Sequence, residues 1–357
     1  MRFLKPFCVF ALAVVSSAAN VAMSQTGESE PMIPQNLLKL IHSPEVQREL
    51  GLADDERLAT ILRDIDAVWW PARILPEDKQ VATVRDLEVK LMDALKPMLS
   101  ETKLKRLRQM EVQSQSTRAL LRPENAKLIG LDEKQLRTMK DACVATDALA
   151  RKLQTIPGGD PELQKELQAA QEEELRVING LLTAANRLAI GKLVGEPFDT
   201  KSLQRIYPLA PELKDSGEWA GVERTSLKAE QGKVVLVHFY AFQCHNCVAN
   251  FGHYNRWQSA LTQKGVRVIG IQTPETRAER DPGLVRAAAA EQGFAFPVLI
   301  DLENTNWTAW GNTMWPTVYV IDKKGYIRFW WQGELNWQGA TGDKAIEKLI
   351  DDLLAEE

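Results

Sequence analysis

Residues 233 to 251, KVVLVHFYAFQCHNCVANF, constrain this chain more than any other stretch. Val234 to Val237, Phe239 and Tyr240 form an almost unbroken apolar and aromatic run, the pattern of a strand buried on both faces. After a short turn, Cys244-His245-Asn246-Cys247 opens a helical pattern that continues through Val248 and Phe251 to Trp257. Two cysteines three positions apart at a helix start lie about one turn apart, so their sulfurs can meet. The first sulfur also faces the helix's unpaired N–H groups and positive dipole end, which favours thiolate over thiol. A thiolate able to attack a disulfide, with a second thiol placed to resolve the mixed disulfide, is the equipment of dithiol exchange. A zinc site needs a second cysteine pair or histidines at ligand spacing. There is no second CxxC, and His253, six residues past Cys247, leaves a fourth ligand missing. A structural disulfide across so small a loop would constrain little of the unfolded chain. The expectation is therefore redox chemistry at Cys244 and Cys247, with no metal and no organic cofactor.

The pieces GKVVLVHFYAFQCHNC, GVRVIGIQTPE, FPVLID and AWGNTMWPTVYVIDKKGYIRFWWQGE follow one another from about residue 217 to 355. Together they resemble the thioredoxin-like superfamily, in particular its exported TlpA-like and DipZ C-terminal-like thiol-disulfide oxidoreductases. The resemblance implies that Pro316 faces the CxxC with a cis peptide bond before it, and that Trp315 and Pro316 form the wall on which substrate docks. Thioredoxins carry a buried aspartate six positions before the first cysteine, and His238 stands there in this chain. Two readings of His238 stand side by side: an imidazole that moves protons for the second cysteine near neutral pH, or a core histidine bonded to a backbone group. His245, between the cysteines, would when cationic stabilise the Cys244 thiolate and raise the reduction potential. As a solvent-facing spacer it would do little.

The chain of 357 residues exceeds one such unit, so a second domain is expected. Residues 1–24 read as a secretory signal: Arg2 and Lys5, then an apolar core from Phe7 to Val15 too short to span a bilayer, then small residues before a cleavage after Ser24 or Ala19. Its removal takes away Cys8 and leaves Cys143, Cys244 and Cys247, with 42 basic against 48 acidic residues and a net charge near −6. That balance gives no case for nucleic-acid binding, and no other apolar run is long enough to span a membrane. The expected location is periplasmic or secreted, in an oxidising or redox-managed compartment. Cys143 lies on a helical pattern near Met139, Val144 and Leu149 and is expected to be buried and inert.

Residues 25–197 lack strand-like runs and carry Leu, Ala, Glu, Lys, Arg and Gln with apolar residues at helical spacing, so an all-α domain is expected. Leu163 to Leu188 mark one face of a single long helix. SPEVQRELGLADDERLATILRDI (43–65) parallels RPENAKLIGLDEKQLRTMKDA (122–142), and residues 99–113 weakly parallel 182–198. This gives two repeats of about 80 residues, each a helical hairpin or trio. They weakly resemble the LTxxQ-type repeats of small exported bacterial proteins, with Lys103 or Asn186 in the place of the glutamine. Residues 198–224 read as a linker running into a first, short strand, and 225–357 as the α/β thioredoxin-like domain, a mixed sheet covered by helices. Six of the ten tryptophans fall between Trp307 and Trp337, as an aromatic groove for a polypeptide or as core and sheet-face packing.

The reading as a whole is an exported thiol-disulfide oxidoreductase that acts on thiol- or disulfide-bearing proteins and exchanges electrons with an upstream redox partner. Two alternatives stand beside it. A thiol peroxidase shares the fold, but its PxxxTxxC motif is missing. A client-binding helical protein would use the redox domain only as an accessory.

Overall fold

The structure, a computed structural model, describes residues 31–156, 159–200, 203 and 206–356. The expected signal, 1–24, lies outside the described residues. Among the described residues the chain divides into a helical unit, 31–61 and 76–206, and a sheet-bearing unit, Leu62–Leu75 and 207–356.

The N-terminal region contains α1 (Leu37–His42), α2 (Pro44–Leu50), α3 (Glu56–Ala72), α4 (Glu77–Leu95), α5 (Glu101–Gln115), α6 (Pro123–Ile129), α7 (Glu133–Gln154), α8 (Pro161–Leu181) and α9 (Ala184–Val194). α2 and α6 each run seven residues, begin on a proline and end on a left-handed glycine, Gly51 at φ 67° and Gly130 at φ 69°. Proline suits a first helical position because its missing N–H would be unpaired there anyway, and glycine takes the left-handed cap without a Cβ clash. The Leu163–Leu188 stripe is not one helix. α8 stops at Leu181, and Thr183 caps α9 in a reciprocal box with Asn186. The capping box satisfies backbone donors that a continuous helix would have paired internally, so the local chemistry favours a break. The core of α7 and α8 is built on Met139, Cys143 and Ile178. Beside it Arg118 pairs with Asp147 at 2.6 Å and Glu174 at 2.7 Å.

The sheet-bearing unit holds six strands: β1 (Trp219–Gly221), β2 (Val234–Tyr240), β3 (Val266–Gln272), β4 (Pro297–Ile300), β5 (Thr317–Ile321) and β6 (Ile327–Gln332). Their order is β1-β4-β3-β2-β5-β6. β2, β3 and β4 are parallel, whereas β1 on β4, β5 on β2 and β6 on β5 are antiparallel. β2 is buried along its whole length, as its apolar run requires. Its side chains alternate between two cores. Val234, Leu236 and Tyr240 join α10 (His245–Leu261), α11 (Pro282–Glu291) and α13 (Gly342–Ala355). Val235, Val237 and Phe239 join Trp70, Leu213 and Trp310, the last just past α12 (Thr305–Ala309). Trp70 comes from the end of α3, so Leu62–Leu75 packs with the sheet although its sequence reads as part of an all-α stretch. Residues 207–221 likewise lie on the sheet: Ala210 N–H donates to Gly325 O, and β1, at the end of the linker stretch, forms the edge strand.

Candidate active site

Cys244 stands as N-cap of α10, directly past the C-terminal end of β2. Its N–H donates to Ala241 O at 3.2 Å, and its carbonyl accepts from the Cys247 and Val248 N–H groups at 3.0 and 3.1 Å. Both cysteines are free thiols, with Cys244 half-buried and Cys247 fully buried in the core under α10. Burial pushes the Cys247 thiol strongly up; hydrogen bonding with Cys244 and the charge of Glu275 act the same way, opposed by the backbone at Ala241. The pair therefore differs sharply: one sulfur is reachable, the other is sealed and held as a thiol.

The peptide bond between Trp315 and Pro316 is cis. Register places Pro316 at the same end of the sheet as the dithiol, because Thr317 pairs with Phe239 and the next step reaches Tyr240. The Pro316 carbonyl accepts from Gly333 N–H at 2.8 Å. Gly333 O in turn accepts from the Asn250 side chain, whose oxygen accepts from Leu335 N–H at 2.9 Å. Asn250, on the turn of α10 after Cys247, thus ties the helix to the end of β6. Trp315 packs against the same core as Cys247, stacks on Trp307 at 4.2 Å and donates from Nε1 to Thr273 Oγ1 at 3.1 Å. Val248 and Met314 are exposed at this end of the unit. Of the six clustered tryptophans, Trp310 is fully buried and Trp337 is the exposed one.

His245 is exposed on the first turn of α10 and makes no hydrogen bond or ion pair with a described residue. His238 fits neither expectation. Both ring nitrogens are buried without a hydrogen-bond partner among the described residues, so no backbone group holds it. Burial drives its pKa down to about 3, so the ring stays neutral and does not titrate near neutrality. Its contacts are aromatic: Tyr254 stacked at 4.0 Å, Tyr240 at 5.2 Å, and the edges of Phe296 and Phe294. Cys143 is buried on α7, and burial lifts its thiol to about 12. Among the described residues no group of three or more His, Cys, Asp or Glu is placed to hold a metal ion, and no helix is long and apolar enough to cross a membrane.

Glu279 also belongs to this end of the sheet, without a mark in the sequence. Its carboxylate is fully buried beside the turn that carries Cys244 and accepts only backbone N–H groups. A lone glutamate in a loop leaves no periodic signal.

Residues 209–330 match the AhpC/TSA family. This stretch is a thioredoxin-like domain. Protein DipZ of Mycobacterium tuberculosis is 31% identical over 202 residues, which cover 55% of this chain and 28% of DipZ. The thiol-disulfide oxidoreductase YkuV of Bacillus subtilis is 29% identical over 146 residues, 41% of this chain and 94% of YkuV. Among solved structures, a thiol-disulfide isomerase from Corynebacterium glutamicum is 26% identical, covers 42% of this chain and 98% of its own, and has a TM-score of 0.37. The chain thus spans little more than a quarter of its mycobacterial relative, while its match to YkuV covers nearly all of that protein.

Proposed function

We propose that this protein exchanges thiols and disulfides with other proteins through Cys244 and Cys247. The observation that carries the reading is the asymmetry of the pair: two free sulfurs on one helical turn, Cys244 accessible and Cys247 sealed, beside a cis-proline. The names of relatives such as YkuV support it. In the reducing direction the Cys244 thiolate attacks a substrate disulfide, forming a mixed disulfide and releasing one substrate thiolate. Cys247 then gives up its proton and attacks Cys244, which frees the second substrate thiolate. The substrate gains two electrons, and the enzyme is left as the Cys244–Cys247 disulfide. The oxidising direction runs the same steps backwards. Trp315 and Pro316 form the wall on which the substrate chain docks, with Val248 and Met314 as its apolar rim. His245, exposed beside Cys244, tunes the potential without touching the core.

The location follows the sequence: residues 1–24 direct export, and the domain works in an extracytoplasmic compartment with an upstream redox partner. Replacing Cys244 with Ser abolishes exchange, and Cys247→Ala accumulates mixed disulfides resolvable by non-reducing electrophoresis. Full activity of Cys244→Ser would sink the mechanism. The equilibrium potential of the pair against glutathione then sets the direction. A value near about −270 mV makes it a reductant and one near about −120 mV an oxidant.

A further inference from the structure

Glu279 is a carboxylate with no exposed surface, and none of the ion pairs among the described residues includes it. Burying a charge is expensive unless polar groups replace its water. Three backbone donors do so. Oε1 accepts from Gln243 N–H at 2.7 Å, and Oε2 accepts from Glu275 and Thr276 N–H at 2.8 Å each. One bond lands on the turn before Cys244 and two on the loop Thr273–Arg280. Gln243 immediately precedes Cys244, so its amide fixes the turn that sets the sulfur's position. The Gln243 side chain is also held, by Thr276 Oγ1 at 2.6 Å. Glu275 is the residue whose charge helps keep the Cys247 thiol protonated. The same loop begins at Thr273, which is pinned to Tyr240 O at 2.9 Å and receives the Trp315 indole. One loop, Thr273–Arg280, therefore touches the dithiol turn and the cis-proline wall, and Glu279 holds its far end.

The choice of residue is informative. A carboxylate offers acceptors only, so it can satisfy three converging N–H groups. A glutamine of the same size would turn its own NH2 toward at least one of them. We propose that Glu279 is a positioning residue for dithiol exchange: its buried carboxylate fixes the turn bearing Cys244 and, through the Thr273–Arg280 loop, the spacing between the dithiol and Trp315. This rests on the exchange reading above. The loop that Glu279 holds also carries Glu275, whose charge disfavours negative charge on Cys247 and so favours the disulfide form.

The test measures two quantities in the full chain with Cys143 replaced by Ser: the rate of exchange with a small aromatic disulfide, and the reduction potential. Glu279→Gln lowers the rate about tenfold or more, the equivalent of one lost charge-assisted hydrogen bond. It also moves the potential about 30 mV toward less negative values, a tenfold change in the exchange constant. Glu279→Asp, which still offers acceptors only but with a shorter reach, changes the rate and the potential in the same directions and by less. A folded Glu279→Gln variant with parental rate and potential, whatever its melting temperature, overturns the inference and leaves the exchange reading standing. A parent protein that exchanges no disulfide overturns both. Should Glu279→Gln fail to fold, amide exchange in the parent decides: the Gln243 amide is protected in both redox forms, and free exchange there defeats the proposal.

Discussion

His238 occupies the centre of β2 with two polar atoms that nothing among the described residues satisfies. Its environment is four aromatic rings from β2, α10 and the segment before β4, with no charged group among them. An unpaired buried polar atom costs about 1–3 kcal/mol, so an apolar residue of similar size is tolerated here. We predict that His238→Leu leaves stability at neutral pH unchanged or raises it by about 1 kcal/mol. The two proteins part company in acid. The ordinary histidine pKa of 6.5 falls to about 3 in the fold, so between those values the unfolded chain binds a proton that the folded chain refuses. Stability is therefore present above the unfolded pKa and lost as pH falls toward the folded one. From neutrality to about pH 5 the loss amounts to roughly 2 kcal/mol. Urea unfolding at the two pH values checks it: His238→Leu shows a shallower acid loss, and parallel curves would refute a neutral His238. Glu279 makes the same point about legibility from the other side. Its partners are backbone N–H groups, which carry no side-chain signature, so nothing in the sequence marks it out among 48 acidic residues.

At the scale of elements, the end of α3 shows how a segment can belong to a sheet that its sequence neighbours do not. Trp70 donates from its indole to Trp310 O at 3.1 Å and meets Trp330 and Tyr319 edge-on at 5.2 and 6.1 Å. The Arg73 guanidinium lies 3.8 Å from the centre of the Trp70 ring and donates to the carbonyls of Trp70, Trp310 and Gly311 and to the Tyr319 hydroxyl. Burial lowers its pKa, an effect Tyr319 opposes. Gly311 accommodates the approach: it sits at φ 60°, and a Cβ there would lie 2.6 Å from Arg73 and 3.0 Å from Pro71. Trp70→Ala should therefore destabilise the sheet-bearing unit by about 3–5 kcal/mol, read as a lower urea midpoint for exchange-protected amides of β2 and β5. An unchanged midpoint would show the contact to be superficial. Strand β2, the dithiol turn and α10 were legible because each rests on neighbours within a few positions. Trp315 and Pro316 were legible only through resemblance to a family. The Trp70–Trp310 bond spans 240 positions, and the helical periodicity around Trp70 reads the same whether its apolar face meets helices or a sheet. The adjacent Trp69 and Trp70 before Pro71, heavy for a short helical stripe, were the available hint.

For the whole molecule, one buried group in each unit, His238 and Glu88, titrates in the opposite sense to the other. His238 weakens the sheet-bearing unit as pH falls. In the helical unit, Glu88 on α4 accepts from Leu37 N–H at 2.9 Å and is raised from 4.5 to about 7. Burial is the main cause and the Glu111 charge adds to it, while the Leu37 amide and the Arg122 charge oppose. Burial raises Glu111 as well, although Arg122 pairs with it at 3.0 Å. A carboxyl whose folded pKa is raised holds its proton where the unfolded chain has released it. Its contribution is thus fully present below about 4.5 and lost as pH rises through about 7. Between about pH 5 and pH 8 this removes on the order of 2 kcal/mol from the helical unit, the range in which His238 adds a similar amount to the sheet-bearing unit. The expected outcome is a pair of opposite pH slopes, the sheet-bearing unit opening more easily in mild acid than at neutrality and the helical unit more easily in mild base. Peptide-resolved hydrogen exchange on the full chain measures both at once, and single variants separate these groups from every other titration. Glu88→Gln flattens the pH dependence of the helical peptides alone, and His238→Leu flattens that of the sheet peptides alone. If Glu88→Gln leaves the helical peptides as pH-sensitive as before, Glu88 is not the group that titrates, and the opposition between the units fails on that side.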